Sequence, residues 1–328
     1  MEKVFVTGAN GMLGSSICRE LIKQGYEVKA YCFPDSNVDT IKELPITIVF
    51  GDVLNKITLL REMTGCSYVI NAAALTTVYP RRDEMVKNVN IEGTKKVKEI
   101  AEELNIKWMV HIGSASSFNH GSLDFPGDET KKYNGWKLKM DYLDSKYVAQ
   151  KFLLEQYKKK GFPVVIINPT FMIGAYDSGP SSGQMLISFC KGKLPGFAKG
   201  GKNFVCTTDV ACAVVNALTM GKTGECYIAG NENLKYKTFF SKISGVLNQP
   251  FRMKKIPFVF ILFVGAISST TSRILKKKPV LSFGMSKFSG INQFYSSEKA
   301  VRELKMPQTP IVQGIKVSID WFTKNGYL

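Results

Sequence analysis

Histidine is scarce in this chain, and its cysteines show no paired spacing. The only histidines are His111 and His120, and the seven cysteines, an odd number, contain no Cys-x-x-Cys pair. Two histidines cannot by themselves build a zinc site, and such a set of cysteines is not a disulfide framework. We therefore expect no metal and no disulfides, and free cysteines indicate a reducing, cytoplasmic compartment.

Long apolar runs are also absent. The strongest apolar segment covers residues 256–267, which is shorter than the ~18–20 residues that cross a bilayer. The first apolar run, Val4–Val6, begins three residues after Met1, so we expect no signal peptide.

The apolar segment 256–267 leaves two interpretations open. It is flanked by the basic residues Lys254, Lys255, Arg273 and Lys276–Lys278. A basic rim beside an apolar helix suits contact with an anionic membrane surface. A helix packed over a substrate pocket explains the apolar residues equally well, and we favour this second interpretation.

Arginine is scarce among the basic residues. The formal net charge is +17, yet only 7 of the 44 basic residues are arginine, and the lysines are spread over the whole chain. Nucleic-acid-binding proteins instead cluster Arg and Lys on one element. We expect a solvated basic surface and no nucleic-acid partner, with attraction of an anionic substrate or membrane as the alternative.

Strands and helices alternate through the first half of the sequence. Strands are predicted over Lys3–Val6, Glu27–Cys32, Thr47–Phe50, Tyr68–Ala72, Trp108–Ile112 and Val164–Ile167, and helices over Ser15–Gln24, Glu84–Glu103 and Tyr142–Lys160. Strands separated by helices imply right-handed crossovers and a parallel sheet covered on both faces. The predicted fold class is α/β, a doubly wound parallel sheet of the Rossmann type.

This rhythm ends after Asn168-Pro169, where Gly, Ser and Pro punctuate residues 174–183. Helical patterns return at Thr208–Met220, Lys237–Leu247 and Gln313–Asn325. We expect a dinucleotide-binding domain over residues 1–168 and a smaller, mixed substrate lobe over residues 169–328. A segment at about 203–230 is expected to return to the first domain.

Three glycines, Gly8, Gly11 and Gly14, lie between the first predicted strand and the first helix. Glycine is needed where the backbone turns tightly and where a pyrophosphate approaches it closely, and a helix N-terminus adds free N–H groups with a partial positive charge. The spacing differs by one residue from the Gly-x-Gly-x-x-Gly dinucleotide fingerprint. We interpret this segment as a cofactor loop.

Tyr142 and Lys146 lie one turn apart on a predicted helix and therefore share a face. An ammonium at ~4–6 Å can lower the pKa of a phenol by ~1–3 units, which would make Tyr142 a proton donor or acceptor near neutral pH. Tyr147 and Lys151 repeat the spacing. Helical phase favours the first pair, because its face carries apolar residues whereas the second face carries Lys158.

A serine-rich stretch, Gly113 to Ser117, directly follows the strand Trp108–Ile112. Ligands of a doubly wound sheet bind beyond the carboxyl ends of its strands. A hydroxyl at this place could donate a hydrogen bond to a substrate carbonyl, and we assign that contact to Ser114. For Ser116 and Ser117 taken singly we favour an ordinary turn.

In this order, the features resemble the extended branch of the short-chain dehydrogenase/reductase superfamily. The shared motifs are Thr-Gly-x-x-Gly-x-x-Gly at 7–14, Gly-Asp-Val at 51–53, Asn-Ala-Ala at 71–73, Asn-x-x-Gly-Thr at 90–94, Tyr-x-x-Ser-Lys at 142–146 and Asn-Pro at 168–169. Residues 294–304 and 321–327 are similar to dihydroflavonol-reductase-like and 3β-hydroxysteroid-dehydrogenase-like members. The match covers nearly the whole chain.

The resemblance implies an NAD(P)-dependent oxidoreductase that exchanges a hydride with a small molecule. It implies that Tyr142 transfers the proton, that Lys146 depresses the Tyr142 pKa and holds the nicotinamide ribose, and that Ser114 steadies the carbonyl oxygen. The residues implied to bind the cofactor are Thr7, Gly8, Asn10, Gly11, Met12, Leu13, Gly14, Phe33, Asp52, Val53, Ala72, Ala73, Tyr142, Lys146 and Pro169. The oligomeric state stays open, with a homodimer as one option.

The choice between NAD and NADP depends on the end of the second strand. Members that prefer NAD usually carry Asp there, where this chain has Cys32, and members that prefer NADP often carry Arg one residue later, where it has Phe33. Neutral Cys32 does not repel a 2′-phosphate, whereas Asp35 could still turn toward a ribose hydroxyl. We expect a modest preference for NADP, aided by the nearby Lys29 and Lys42.

Three functions are compatible with the sequence. We favour a carbonyl reductase or alcohol dehydrogenase for a fairly apolar substrate, because residues 251–288 are rich in aromatic and aliphatic side chains. A nucleotide-sugar epimerase would clamp a diphosphate, for which Arg is suited, but few Arg follow Arg82. A non-catalytic dinucleotide sensor would typically lose Tyr142 or Lys146, and both are kept.

Overall fold

The computed structural model describes residues 2–275 and 283–328. In chain order, the strands of this part are β1 (Lys3–Thr7), β2 (Glu27–Cys32), β3 (Thr47–Phe50), β4 (Tyr68–Asn71), β5 (Trp108–Ile112), β6 (Val164–Pro169), β7 (Phe171–Ile173), β8 (Gly201–Cys206), β9 (Cys226–Ala229), β10 (Glu232–Lys235) and β11 (Asn292–Gln293).

The helices are α1 (Met12–Lys23), α2 (Lys56–Met63), α3 (Glu84–Lys87), α4 (Thr94–Glu103), α5 (Asp141–Lys160), α6 (Gly183–Cys190), α7 (Thr207–Met220), α8 (Tyr236–Val246), α9 (Phe258–Leu275), α10 (Phe283–Ser289), α11 (Glu298–Leu304) and α12 (Ile311–Lys324). A π-helical segment, Asn88–Gly93, joins α3 to α4 without interruption. The long helix predicted over Glu84–Glu103 is therefore present with an irregular middle.

The larger sheet has seven strands in the order β3-β2-β1-β4-β5-β6-β9. All neighbouring strands are parallel. The chain reverses its direction of travel across the sheet between β1 and β4, which is where ligands bind in doubly wound folds. The predicted fold class is confirmed.

Burial on both faces of this sheet explains its apolar strands. All six residues of β6 are buried, as expected of a strand covered on both sides. One face packs against residues of α1 and α7, and the other against residues of α2, α4 and α5. The cofactor loop, the serine stretch and the end of β6 therefore meet at one carboxyl edge.

A smaller mixed sheet forms the second lobe. In it β8 pairs antiparallel with β10 and parallel with β7 and β11. Its core includes Phe204, Phe239 and Ile243. Of the segment expected to return to the first domain, α7 packs against the larger sheet and β9 joins it, whereas β8 belongs to the smaller sheet.

The apolar segment 256–267 contributes most of α9. One side of this helix is packed, since Ile261 is buried and Gly265 lies against Ser286 of α10. The other side is open, with Val259 77% and Phe263 62% exposed. Packing over a pocket would thus explain the apolar residues on one side of the helix only. The flanking residues Lys276–Lys278 lie outside the described residues. No described helix has both the length and the apolarity needed to cross a bilayer.

Candidate active site

The glycine loop lies at the carboxyl end of β1. Gly8 has a φ of +64°, and a Cβ on it would lie 2.8 Å from the backbone of Ala73. A Cβ on Gly14 would overlap the carbonyl oxygen of Gly8. These two glycines are therefore required by the packing of the loop itself, which presses the start of α1 against the sheet.

Gly11 differs from its two neighbours in the motif. It is exposed, and a Cβ on it would meet only the Gly8 carbonyl oxygen, at an ordinary 3.5 Å. It is the N-cap of α1, whose first turn has no side-chain cap and no acidic residue. The N–H groups of Met12 and Leu13 have no acceptor within the helix, so this opening fits a pyrophosphate.

Thr7 ties the loop to the Asn-Ala-Ala turn after β4. Its hydroxyl donates to Oδ1 of Asn71 at 2.7 Å and accepts from the backbone N–H of Ala73 at 3.1 Å. The Asn71 amide also lies 3.2 Å from Nδ1 of His111 on β5. These buried bonds connect the ends of three adjacent strands, so Thr7 acts on the loop by positioning it.

The adenosine end of the expected cofactor site follows β2. Cys32 is fully buried, whereas Phe33 is 62% exposed and free to stack on a flat ligand. Asp35 has a φ of +59°. The Asn10 amide donates to Oγ of Ser36 at 3.1 Å, which holds this loop beside the glycine loop.

The lysines near this site have other partners. Lys29 pairs with Glu62 at 3.1 Å, and Lys42 pairs with Asp39 at 2.8 Å. The Asp52 carboxylate accepts the N–H of Leu54 at 2.8 Å and shapes the turn that contains buried Val53. Neither lysine therefore offers an unpaired charge to the ribose.

Ser114, Tyr142 and Lys146 come together at the carboxyl end of β5. Ser114 lies next to Tyr142, and its hydroxyl is 2.7 Å from the hydroxyl of Ser116. Lys146 is 5% exposed and donates to the carbonyl of Ile112 at 2.8 Å. The sequence prediction selected three side chains that the fold brings to one place.

The electrostatics of this group differ from the expectation. Burial raises the pKa of Tyr142, and the neighbouring Ser114 hydroxyl offsets only part of that rise. Burial lowers the pKa of Lys146 to about 8. The expected depression of the phenol pKa by Lys146 is not seen in this structure, because the ammonium donates to a backbone carbonyl and burial has the larger effect.

The second Tyr-x-x-x-Lys pair lies away from this group. The Tyr147 ring stacks on Tyr133 with centroids 4.4 Å apart and also contacts Trp136. Lys151 is exposed near Glu155. The argument from helical phase therefore distinguished the buried Lys146 from the exposed Lys151. Tyr147, which was expected on a solvated face, is instead packed against other aromatic rings.

Two asparagines support the site. The Asn168 amide donates to the backbone carbonyl of Ser114 at 3.0 Å and to Gln150 of α5 at 2.7 Å, just before Pro169 ends β6. The Asn90 amide donates to the Ser145 hydroxyl at 2.9 Å. The motifs drew attention to both asparagines, but their partners lie far away in sequence and only the fold identifies them.

The fold and this site define a class of protein. The sequence profile of the NAD dependent epimerase/dehydratase family matches residues 4–230, and the chain belongs to that family. It is an NAD(P)-dependent oxidoreductase of the extended short-chain dehydrogenase type, as its relatives also indicate.

Two named relatives and one solved structure are similar to this chain. A protein of Synechocystis sp., provisionally named dihydroflavonol 4-reductase, is 29% identical over 329 residues, which cover 99% of this chain and 95% of that protein. A 3-beta-hydroxysteroid dehydrogenase of Mycolicibacterium neoaurum is 28% identical over 54% of this chain and 49% of its own length. The crystal structure of gox2253 has 28% identity and a TM-score of 0.87, with both chains covered completely. The resemblance drawn from the motifs is confirmed.

The glycine geometry predicts opposite outcomes for two substitutions. Gly11→Val should fold normally but weaken dinucleotide binding at least about a hundredfold, because its side chain would occupy the approach of the pyrophosphate. Gly14→Val should lower the melting temperature, because its Cβ has no room. Calorimetric titration and thermal unfolding would measure the two effects, and micromolar affinity of Gly11→Val would contradict the loop assignment.

Proposed function

We propose that the chain interconverts a carbonyl and a secondary alcohol on a fairly apolar small molecule. The observation that carries this proposal is the placement of Ser114, its neighbour Tyr142 and the buried Lys146 at the same sheet edge as the glycine loop. A bound nicotinamide supplies or accepts the hydride, and the protein handles the proton.

Tyr142 gives the proton to the substrate oxygen during reduction. Its raised pKa keeps the phenol protonated at neutral pH, which suits the reductive direction. Ser114 shares the same oxygen as a second hydroxyl donor and stabilises the negative charge that develops there. Asn168 fixes the backbone of Ser114, so that both hydroxyls are positioned before the substrate binds.

Lys146 holds the cofactor and supplies positive charge. With a pKa of about 8, its amine is mostly protonated at pH 7. An ammonium has three N–H donors, and the carbonyl of Ile112 uses one of them. The remaining two are available for the hydroxyls of a ribose.

Two points favour a reductase or dehydrogenase over an epimerase. The names of the two relatives specify a reductase and a hydroxysteroid dehydrogenase. An epimerase would need a diphosphate clamp, yet Arg82 pairs with Asp141 and Asp144, and Arg19 bonds the backbone of Ser15. The free thiols of the seven cysteines support the cytoplasm as the place of action.

Tyr142→Phe should lower kcat by a factor of about 10²–10⁴ while dinucleotide binding stays near wild type, because the phenol transfers a proton and adds little affinity. The assay is the change in absorbance at 340 nm with NADH and NADPH against aldehydes, ketones, β-keto acids and sterols. Tyr147→Phe is the matched control and should stay close to wild type, since its ring contacts are retained. The reverse pattern would reject the assignment.

We also propose a modest preference for NADP. Neutral Cys32 does not repel a 2′-phosphate, and the preference is modest because Lys29 and Lys42 are paired elsewhere. The ratio of kcat/KM for NADPH over NADH should exceed one by up to about thirtyfold. A ratio well below one that collapses in Asp35→Ala would overturn this proposal and identify Asp35 as the ribose acid.

A further inference from the structure

Lys202 of β8 is a partly buried cation that lies outside the proposed catalytic group. Its ammonium donates to Oε1 of Gln293 at 2.7 Å and lies 5.2 and 5.8 Å from the ring centres of Phe171 and Phe288. Burial lowers its pKa to about 8. Among the described residues no carboxylate pairs with it, although the side chain is partly withdrawn from water.

Gln293 adds a second unpaired donor at the same place. The residue is 9% exposed, and its Oε1 accepts the bond from Lys202. Its Nε2 has no hydrogen-bond partner within residues 2–275 and 283–328. Buried donors without acceptors are rare in folded proteins, so an ammonium beside a free amide N–H indicates a site for an acceptor that is not part of the chain.

A series of contacts through α10 connects this pair with the segment that precedes Tyr142. A Cβ on Gly284 of α10 would lie 3.7 Å from the sulfur of Met140, two residues before Tyr142. Phe288, which faces Lys202, lies one helical turn further along α10, or about 6 Å. On the other wall, burial and then the charge of Lys202 lower the pKa of His120, which follows Ser114 by six residues.

We propose that Lys202 and Gln293 form a carboxylate-binding subsite in the substrate cleft, so that the substrate is an apolar oxo acid or hydroxy acid. This inference rests on the proposed function. The ammonium and the amide N–H offer one donor to each carboxylate oxygen, and the rings of Phe171 and Phe288 accommodate an apolar skeleton. The single positive charge of Lys202 is balanced by one carboxylate, whereas a diphosphate would bring more negative charge than this subsite neutralises.

The test compares acids with their methyl esters. Decanoic acids with an oxo group at carbon 3, 5 or 7 vary the distance between ketone and carboxylate, and each ester removes only the charge. Wild type should prefer the best acid over its ester by about tenfold to a hundredfold in kcat/KM. Lys202→Met should lose this preference and keep the ester activity, whereas the exposed Lys199→Met should match wild type.

Binding without turnover separates the two proposals. Calorimetric titration with decanoate should give at least about tenfold weaker binding for Lys202→Met and for Gln293→Glu than for wild type. Equal turnover of acid and ester by wild type, or equal decanoate binding by all variants, would overturn the subsite and leave the proposed function standing. If wild type converts no carbonyl or alcohol but its binding of decanoate still depends on Lys202, the proposed function is rejected and the subsite is supported.

A different observation concerns the surface around α9. Residues 233–297 contain eleven Lys and Arg and no Asp or Glu, although the whole chain has 27 acidic residues. The exposed side of α9 presents Val259, Phe260, Phe263 and Ile267, which recur at helical spacing. Arg252, Lys254 and Lys255 are exposed directly before the helix.

We infer that α9 lies in the plane of an anionic lipid surface, with its open side among the acyl chains. Apolar residues at the helix and cations at its rim are the two components of interfacial binding. A second copy of the chain is a poorer partner, because it would bring two segments of the same strong positive charge together.

Flotation with vesicles tests this surface. Wild type should float with vesicles of phosphatidylcholine and phosphatidylglycerol at 7:3, and not with phosphatidylcholine alone. Val259→Asp with Phe263→Asp should abolish flotation, whereas Val317→Asp, an exposed position on α12, should have no effect. Negligible wild-type recovery with both vesicles would refute the inference, and so would a dimer in sedimentation that dissociates in the double variant.

Discussion

The close approach of Gly8 to the turn after β4 is the constraint on which the cofactor edge of this protein depends. No side chain fits between Gly8 and Ala73, and none fits between Gly14 and the Gly8 carbonyl. Helix α1 is therefore pressed against the sheet, with its uncapped N-terminus at the point where the strand order reverses. The Thr7 hydroxyl donates to Asn71 and accepts from the N–H of Ala73, and these two hydrogen bonds stabilise this arrangement. Backbone packing therefore fixes Gly8 and Gly14, and of the three glycines in the loop only Gly11 has open space beside it.

The same edge explains how the proposed catalytic side chains are positioned. Lys146 donates to the carbonyl of Ile112, and Tyr142 lies next to Ser114, whose own carbonyl accepts a hydrogen bond from Asn168. An unpaired buried polar group costs about 1–3 kcal/mol, so these hydrogen bonds stabilise the arrangement. Burial then moves the pKa of the phenol up and that of the amine down. Both shifts follow from exclusion of water more than from the neighbouring residues in the motif.

Most of the fold could be predicted from the sequence, because strands of a doubly wound sheet are short apolar runs and glycines end its helices. The predicted bounds of Glu27–Cys32, Thr47–Phe50 and Trp108–Ile112 agree with β2, β3 and β5. The partner of Lys146 could not be predicted, since helical spacing gives the face of a side chain but not the carbonyl it reaches. The contact between Lys202 and Gln293 could not be predicted either, because the two residues lie 91 residues apart in sequence and only the pairing of their strands brings them together.

Lys146 and Lys202 both have a lowered pKa, but their hydrogen-bond partners differ in kind. Lys146 is buried and Lys202 is partly buried, and burial lowers the pKa of each amine to about 8. Lys146 is bonded to a backbone carbonyl of β5, so its position is determined by the sheet whatever the ligand. Lys202 is bonded to Gln293, a side chain whose own amide N–H is left unpaired. The first cation is satisfied by the fold, whereas the second is incomplete without an acceptor from outside. Burial strengthens the interaction between a charged side chain and an oppositely charged ligand. We therefore assign recognition of an anion to Lys202 and the proposed catalytic role to Lys146.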